Sequence, residues 1–321
     1  MLYTRNRARK PRLNWGRIAF AALALAIVGA SGYFLAAGLM GGPGGLPGEE
    51  QSPTPQTAEQ GPTPPAATPS ITPSASPSPS PEDSQEPVGS GLLHFGAVGE
   101  IAGGSGLLQG ARAESSYDFS EVFAKIHPYT AQFDFLLGAL GTTISKGGEY
   151  SERKTPEPLL GALKAIGFDV LTLDNGHGYD YGLDGARETR GLVQAAGLVG
   201  IGFGTESAED DSPCILEGEG LRVAVLSYSL EAVEASAESQ GHVRLLSEAA
   251  LSADMLAVKE AGADFVVACV YWGDGGASEL TQAQKDWAKK LADAGVGAVI
   301  GSQPQYLQKL STITAADGRK T

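Results

Sequence analysis

Residues 167–204 read GFDVLTLDNGHGYDYGLDGARETRGLVQAAGLVGIGFG, and their pattern decides the fold. Asp169 to Leu173 is a short, mostly apolar run of strand length. Asp174 to Gly182 is polar and glycine-rich, as a loop is. Leu183 to Ala196 has helical spacing and is closed by Gly197, a residue that accepts the left-handed conformation at a helix end. Leu198 to Phe203 is a second strand. Strand, helix and strand in that order form a βαβ unit, which makes the two strands parallel.

The same alternation continues on both sides. Strands are expected at Leu92 to Val98, Phe133 to Gly138, Pro213 to Leu216, Leu221 to Tyr228, Asp264 to Tyr271 and Gly297 to Gly301. Helices are expected at Phe119 to Ile126, Leu246 to Glu260 and Gln282 to Ala294. Another should run to Ile166, with Thr155 as its N-cap and Pro156 at its first position. The pattern implies an α/β domain with much parallel sheet over residues 91–321. In such sheets the working residues gather on loops at the carboxyl ends of strands. Four loops qualify: GEIAGGSG from Gly99, DNGHGYDYG from Asp174, YWGDGG from Tyr271 and GSQPQYLQ from Gly301.

The rest of the chain is of a different kind. Residues 1–17 hold Arg5, Arg7, Arg9, Lys10, Arg12 and Arg17 and no acid. Residues 18–40 carry no charge and, as a helix, would span about 34 Å, enough for a bilayer core of about 30 Å. That run exceeds the apolar region of a cleaved signal peptide, and no small-x-small site closes it. A single-pass signal anchor is therefore expected, with a cytoplasmic basic tail and the remainder outside the cell. Residues 41–90 contain 13 of the 19 prolines and six acids without a base. Such a segment cannot bury enough surface to offset its ordering entropy, so a disordered, semi-rigid stalk is expected.

Charge and composition exclude several classes. The chain carries 37 acids against 23 bases, a formal net charge of −14, which argues against a generally basic nucleic-acid binder. Its two cysteines, Cys214 and Cys269, are too few for a disulfide scaffold and are expected to be thiols. No Walker A loop and no Gly-x-Ser-x-Gly elbow is present. His94, His127 and His242 match no ligand spacing.

Over nearly all of residues 91–321 the chain resembles the CapA family, bacterial proteins of poly-γ-glutamate capsule synthesis. The Gly167–Gly204 stretch carries the resemblance most strongly, and YWGDGG with QAQKDWAKKLADAGVGAVIGSQPQ follows the family in order and spacing. The resemblance implies a fold like the calcineurin-like metallophosphatases: a layered sandwich of β-sheets flanked by helices, preceded here by the transmembrane helix and the stalk. At the chemistry the sequence departs from the family pattern. Gly99-Glu100 stands where the family has Gly-Asp, and Ala139-Leu140-Gly141 stands for Asn-Leu-Glu. Asn-Asn-His has become Asn175-Gly176-His177, and the His before Trp-Gly is Tyr271. Gly-His-His-Pro-His has become Gly301-Ser302-Gln303-Pro304-Gln305. The chain ends at DGRKT, where the family continues to a Ser-Leu-Gly-Asn-Phe element, so a domain shortened at its C-terminus is expected.

A two-metal hydrolase needs anionic or imidazole ligands around two ions about 3.5–4 Å apart. The matched positions leave Glu100, Asn175 and His177, enough for at most one weakly bound divalent ion. Gln303 and Gln305 offer neutral oxygens, and Tyr271 would have to ionise against a reference pKa near 10. His177 and Asp180 are the candidate catalytic pair, Asp180 either orienting the imidazole or capping the next helix. Asn175, Tyr271, Trp272, Asp274, Gln303 and Gln305 are the candidate cleft. Three functions follow: an accessory protein of capsule synthesis that works with membrane-bound synthesis partners; a metal-dependent hydrolase with a rearranged site using Glu100, His177, Asp180 and Asp274; or a wall-spanning module that binds a cell-wall polymer or acts as a sensor.

Overall fold

A computed structural model describes residues 2–4, 92–208, 213–230 and 241–321. The expected membrane anchor and stalk, residues 18–40 and 41–90, lie outside the described residues, as does most of the basic tail. Among the described residues no helix is long and apolar enough to cross a membrane.

In chain order the strands are β1 (Leu2–Thr4), β2 (Phe95–Ile101), β3 (Phe135–Leu140), β4 (Thr143–Ser145), β5 (Lys154–Pro156), β6 (Val170–Thr172), β7 (Val199–Ile201), β8 (Cys214–Gly218), β9 (Leu221–Ser229), β10 (Phe265–Tyr271) and β11 (Ala298–Ser302). The helices are α1 (Ser105–Gly110), α2 (Ser120–Phe123), α3 (His127–Thr130), α4 (Pro158–Ala165), α5 (Gly182–Ala195), α6 (Glu248–Glu260) and α7 (Gln282–Ala294). One sheet has the order β2-β3-β6-β7 and a second has the order β1-β8-β9-β10-β11, with β4-β5 as a small pair beside them. Neighbours are parallel except β8 and β9, which form an antiparallel hairpin. Glu219 and Gly220 at its tip have φ of 50° and 79°, as a two-residue turn matched to strand twist requires.

The two large sheets face each other. Phe135, Leu137, Val170, Val199 and Ile201 of the first pack against Leu216, Val223, Val225 and Val267 of the second. Alternate residues point outward to helices. Leu136, Leu140 and Leu171 meet Leu159 and Leu163 of α4 and Leu192 and Val193 of α5. Leu226, Tyr228 and Val266 meet Leu251 and Val258 of α6 and Leu291 of α7. The result is a four-layer sandwich, helix, sheet, sheet, helix. Strands buried on both faces explain unbroken apolar runs such as FVVACV.

Cys214 and Cys269 are both buried thiols. They pair with Val225 and Ser227 on opposite sides of β9, so their strands are about 9.6 Å apart, beyond disulfide reach. Burial, with the Asp174 charge adding to it, pushes the Cys269 thiol well above the usual range.

One helix start differs from expectation. Thr155 and Pro156 belong to β5, and α4 begins at Pro158 with Glu157 as its N-cap. Thr155 is wholly buried and shares a 2.9 Å hydroxyl–hydroxyl hydrogen bond with Thr142, so tertiary pairing takes the residue that local pattern assigned to a cap. The region expected as one helix at Phe119 to Ile126 is a single turn, α2, followed by α3.

Candidate functional site

The carboxyl ends of both sheets open on the same side, and the loop after β6 lies between them. Asp174, the first residue of that loop, is buried. Ser227 Oγ of β9 donates to both of its carboxylate oxygens at 3.0 Å, bridging the two sheets. Asp174 also packs on Gly202, whose φ of 91° lets the chain turn there without a side chain.

Asn175 is buried, and its amide nitrogen donates to the carbonyl of Leu140 at the end of β3. Its Oδ1 accepts from the His177 backbone N–H at 3.2 Å. Thr143 Oγ1 of β4 donates to the carbonyls of His177 and Gly178 at 3.3 and 3.4 Å. The His177 backbone is thus held by two different elements. Its ring is partly exposed, 36% by side chain, and Nδ1 lies 3.2 Å from Asp180 Oδ2. Arg153 Nε stands 3.4 Å from the same oxygen. Asp180 makes no cap to α5, whose N-cap is Tyr181 with no side-chain cap bond. With Nδ1 at Asp180, Nε2 is the imidazole atom left for a ligand.

Glu100 stands at the end of β2, just past a register shift between Val98 and Glu100. Burial raises its carboxyl above the ordinary range, and the nearby His177 charge opposes this in part. Tyr271 ends β10, and its hydroxyl meets the turn at Gly176. Burial raises its hydroxyl too; the Glu100 charge and, less strongly, that of Asp174 add to this, while a hydrogen bond from the Gly176 backbone opposes it. Glu100, Asn175, His177, Asp180 and Tyr271 are thus brought to one place by β2, β6 and β10.

Other expected cleft residues lie elsewhere or play another part. Trp272 is only 7% exposed and packs in the apolar layer with α6 and α7; its ring nitrogen closes on Gly301. It is a core residue, because the strand alternation that turns Tyr271 one way turns Trp272 the other. Asp274 is exposed on the turn after β10, where its carbonyl accepts from Ala277 N–H at 3.1 Å. Gln303 and Gln305, after β11, have φ of 96° and 61°, unusual for residues with side chains. Gln303 Oε1 is buried with no hydrogen-bond partner, whereas Gln305 is exposed. Asp174 and Ser227 escaped sequence reasoning. An Asp directly after an apolar strand was the available signal, but nothing local marks the serine that meets it.

A paired-metal centre needs anionic or imidazole ligands around both ions. Among the described residues no group of three or more His, Cys, Asp or Glu side chains is placed to hold a metal ion. Asn175 has its nitrogen and oxygen committed to protein, and Glu100 is shifted toward its neutral form. These residues do not fit two cations. What the arrangement offers is an oriented imidazole, two carboxyl groups and a phenol, with Arg153 and Lys154 beside it; the Lys154 ammonium lies 5.2 Å from the Tyr181 ring centroid.

Two relatives share this part of the chain. The capsule biosynthesis protein CapA of Bacillus anthracis is 27% identical over 206 residues, covering 60% of this chain and 50% of its own length. The PGA biosynthesis protein CapA of Bacillus subtilis is 22% identical over 198 residues, covering 59% of this chain and 52% of its own. The chain therefore spans about half the length of the curated relatives it matches. The model of the bacterial capsule synthesis protein PGA_cap matches residues 94–319, nearly the whole α/β sandwich, and the chain belongs to that family.

Proposed function

We propose that the chain is an accessory protein of capsule or poly-γ-glutamate synthesis, held at the outer face of the cell membrane by residues 18–40. Its strand-end site binds a polymer or partner through hydrogen bonds and charge rather than through a pair of metal ions. The observation that carries this is the family match over residues 94–319, on a fold that gathers Glu100, His177, Asp180 and Tyr271 without a metal-holding group among the described residues. The folded part is acidic, with 31 acids against 17 bases in residues 91–321. It repels a polyanion at long range, so any grip on one falls to a local basic rim. Arg153, beside Asp180, and Lys154, over the Tyr181 ring, supply that rim. Membrane-bound synthesis proteins are the partners that fit an anchored accessory protein.

The test is genetic and chemical. Deleting the gene in the producing bacterium should lower cell-bound exopolymer severalfold. The wild-type gene should restore it, and a His177→Ala copy should restore it only in part. Unchanged polymer on deletion would overturn the proposal. A second reading, a metal-dependent hydrolase, draws on the oriented His177–Asp180 pair. It requires phosphoesterase turnover by the purified protein with added Mn²⁺, abolished by His177→Ala, and that result would replace the accessory role.

A further inference from the structure

Two glycines of the strand-end site are not required by their own backbone. Gly141 and Gly176 both have φ outside the left-handed region, so the backbone alone would accept alanine at either position. Their neighbours would not. A Cβ on Gly141 would lie 2.3 Å from Glu100 Oε1 and 2.4 Å from its Cγ. A Cβ on Gly176 would lie 2.5 Å from Tyr271 Oη but 3.5 Å from Cζ. Gly182 is the contrast: its φ is 69° and nothing crowds it, so its glycine serves the backbone. The four residues thus form two interlocked pairs, each a long polar side chain laid over a glycine. All four are positions where the sequence departs from the pattern it resembles. Close-packed interiors tolerate volume exchanged between neighbours far better than volume lost or gained alone.

We propose that Glu100 and Tyr271 are the resident occupants of this site. Their side-chain ends fill the room that side chains at 141 and 176 would take. Tyr271 Oη also lies directly against the Gly176 turn that carries His177. Tyr271 is a positioning residue in this sense. The site is shut to a pair of metal ions by its own side chains as well as by the loss of donors. A ligand meets the imidazole of His177 and the Asp180–Arg153 edge, which offer it hydrogen bonds and charge. None of this depends on a role in capsule synthesis.

The test is a pair of double-mutant cycles on the full chain, read by thermal unfolding. Gly176→Ala should lower the melting temperature by several degrees, and adding Tyr271→Phe should recover most of the loss, since only Oη is in the way. Gly141→Ala with Glu100→Ala should behave alike. Additive losses in both cycles would overturn the interlock. Tyr271→Phe alone keeps the ring and removes the hydroxyl packed on the Gly176 turn. Hydrogen exchange of the peptide spanning residues 174–182 should then speed up at least tenfold while β9 and β10 stay protected; an unchanged rate would overturn the positioning role. Calorimetric titration of the wild-type chain with MnCl₂ should show no two-ion uptake. Two ions bound per chain at micromolar affinity would overturn the closure.

Discussion

Burial drives the Glu100 carboxyl toward its neutral form, and His177 opposes this only in part. The folded protein therefore holds that proton more tightly than the unfolded chain, whose glutamate titrates near the ordinary 4.5. For an acid shifted upward, the stability contribution is complete below the unfolded pKa and is lost as pH rises through the folded one. Glu100→Gln keeps the shape and removes the titration. The variant should gain stability relative to wild type between pH 4 and pH 8, read as a widening gap in urea midpoints; a gap that stays constant with pH would show that the carboxyl is not perturbed. At this scale the sequence told part of the story. The loop DNGHG announces polarity, but not which side chain turns inward. Asp174 is buried under Ser227, whereas His177, three residues on, keeps a third of its side chain in solvent. That difference is decided by β9, more than 40 residues away. Tyr271 and Trp272 were equally visible as aromatic loop residues, and only the direction in which β10 ends separates site from core.

Elements with local end signals were legible; those fixed by distant partners were not. Helix α7 has the bounds its spacing suggests. Thr281 accepts from the Gln284 N–H at 3.1 Å, the Gln284 side chain accepts from the Thr281 N–H at 2.9 Å, and Gly295 ends the helix at φ 113°. All of these signals lie within the segment itself. Thr281→Ala removes one half of this reciprocal cap and should cost about 1 kcal/mol. That corresponds to a fall of about 2–4 °C in melting temperature for a domain of this size. A change under 1 °C would mean that the second anchor of Gln284, its 2.9 Å bond to Gln308, carries the helix start alone. Thr155 and Pro156 give the opposite lesson. They have the chemistry of a helix start, yet the buried pairing with Thr142 makes them strand, and α4 begins at the next proline.

At the scale of the whole molecule, βαβ alternation predicted parallel sheet but not its division into two. A strand buried on both faces looks the same from sequence whether a helix layer or a second sheet covers it. The far end of the chain poses a sharper question. Leu2–Thr4 pair in parallel with Ile215, Leu216 and Glu217 on the edge of the second sheet, whereas an anchor through residues 18–40 would put those three residues across the bilayer. The two placements exclude each other, and magnitudes decide between them. A three-residue edge offers a few hydrogen bonds at about 0.5–1.5 kcal/mol each. Moving an uncharged 23-residue run out of water gains about 1.5–3 kcal/mol for each large apolar side chain buried, and residues 18–40 hold many. On the proposed anchoring, these magnitudes favour insertion where a bilayer is present, with release of the edge strand. By this the sandwich gives up one edge pairing of three residues, worth the few hydrogen bonds just counted. A fragment of residues 91–321 should therefore be soluble and unfold within about 4 °C of the full chain, an allowance of about 1 kcal/mol. The full chain should sediment with membranes and resist a carbonate wash. A fragment destabilised by more than about 10 °C would make β1 an integral strand, and a full chain found in the soluble fraction would remove the anchor.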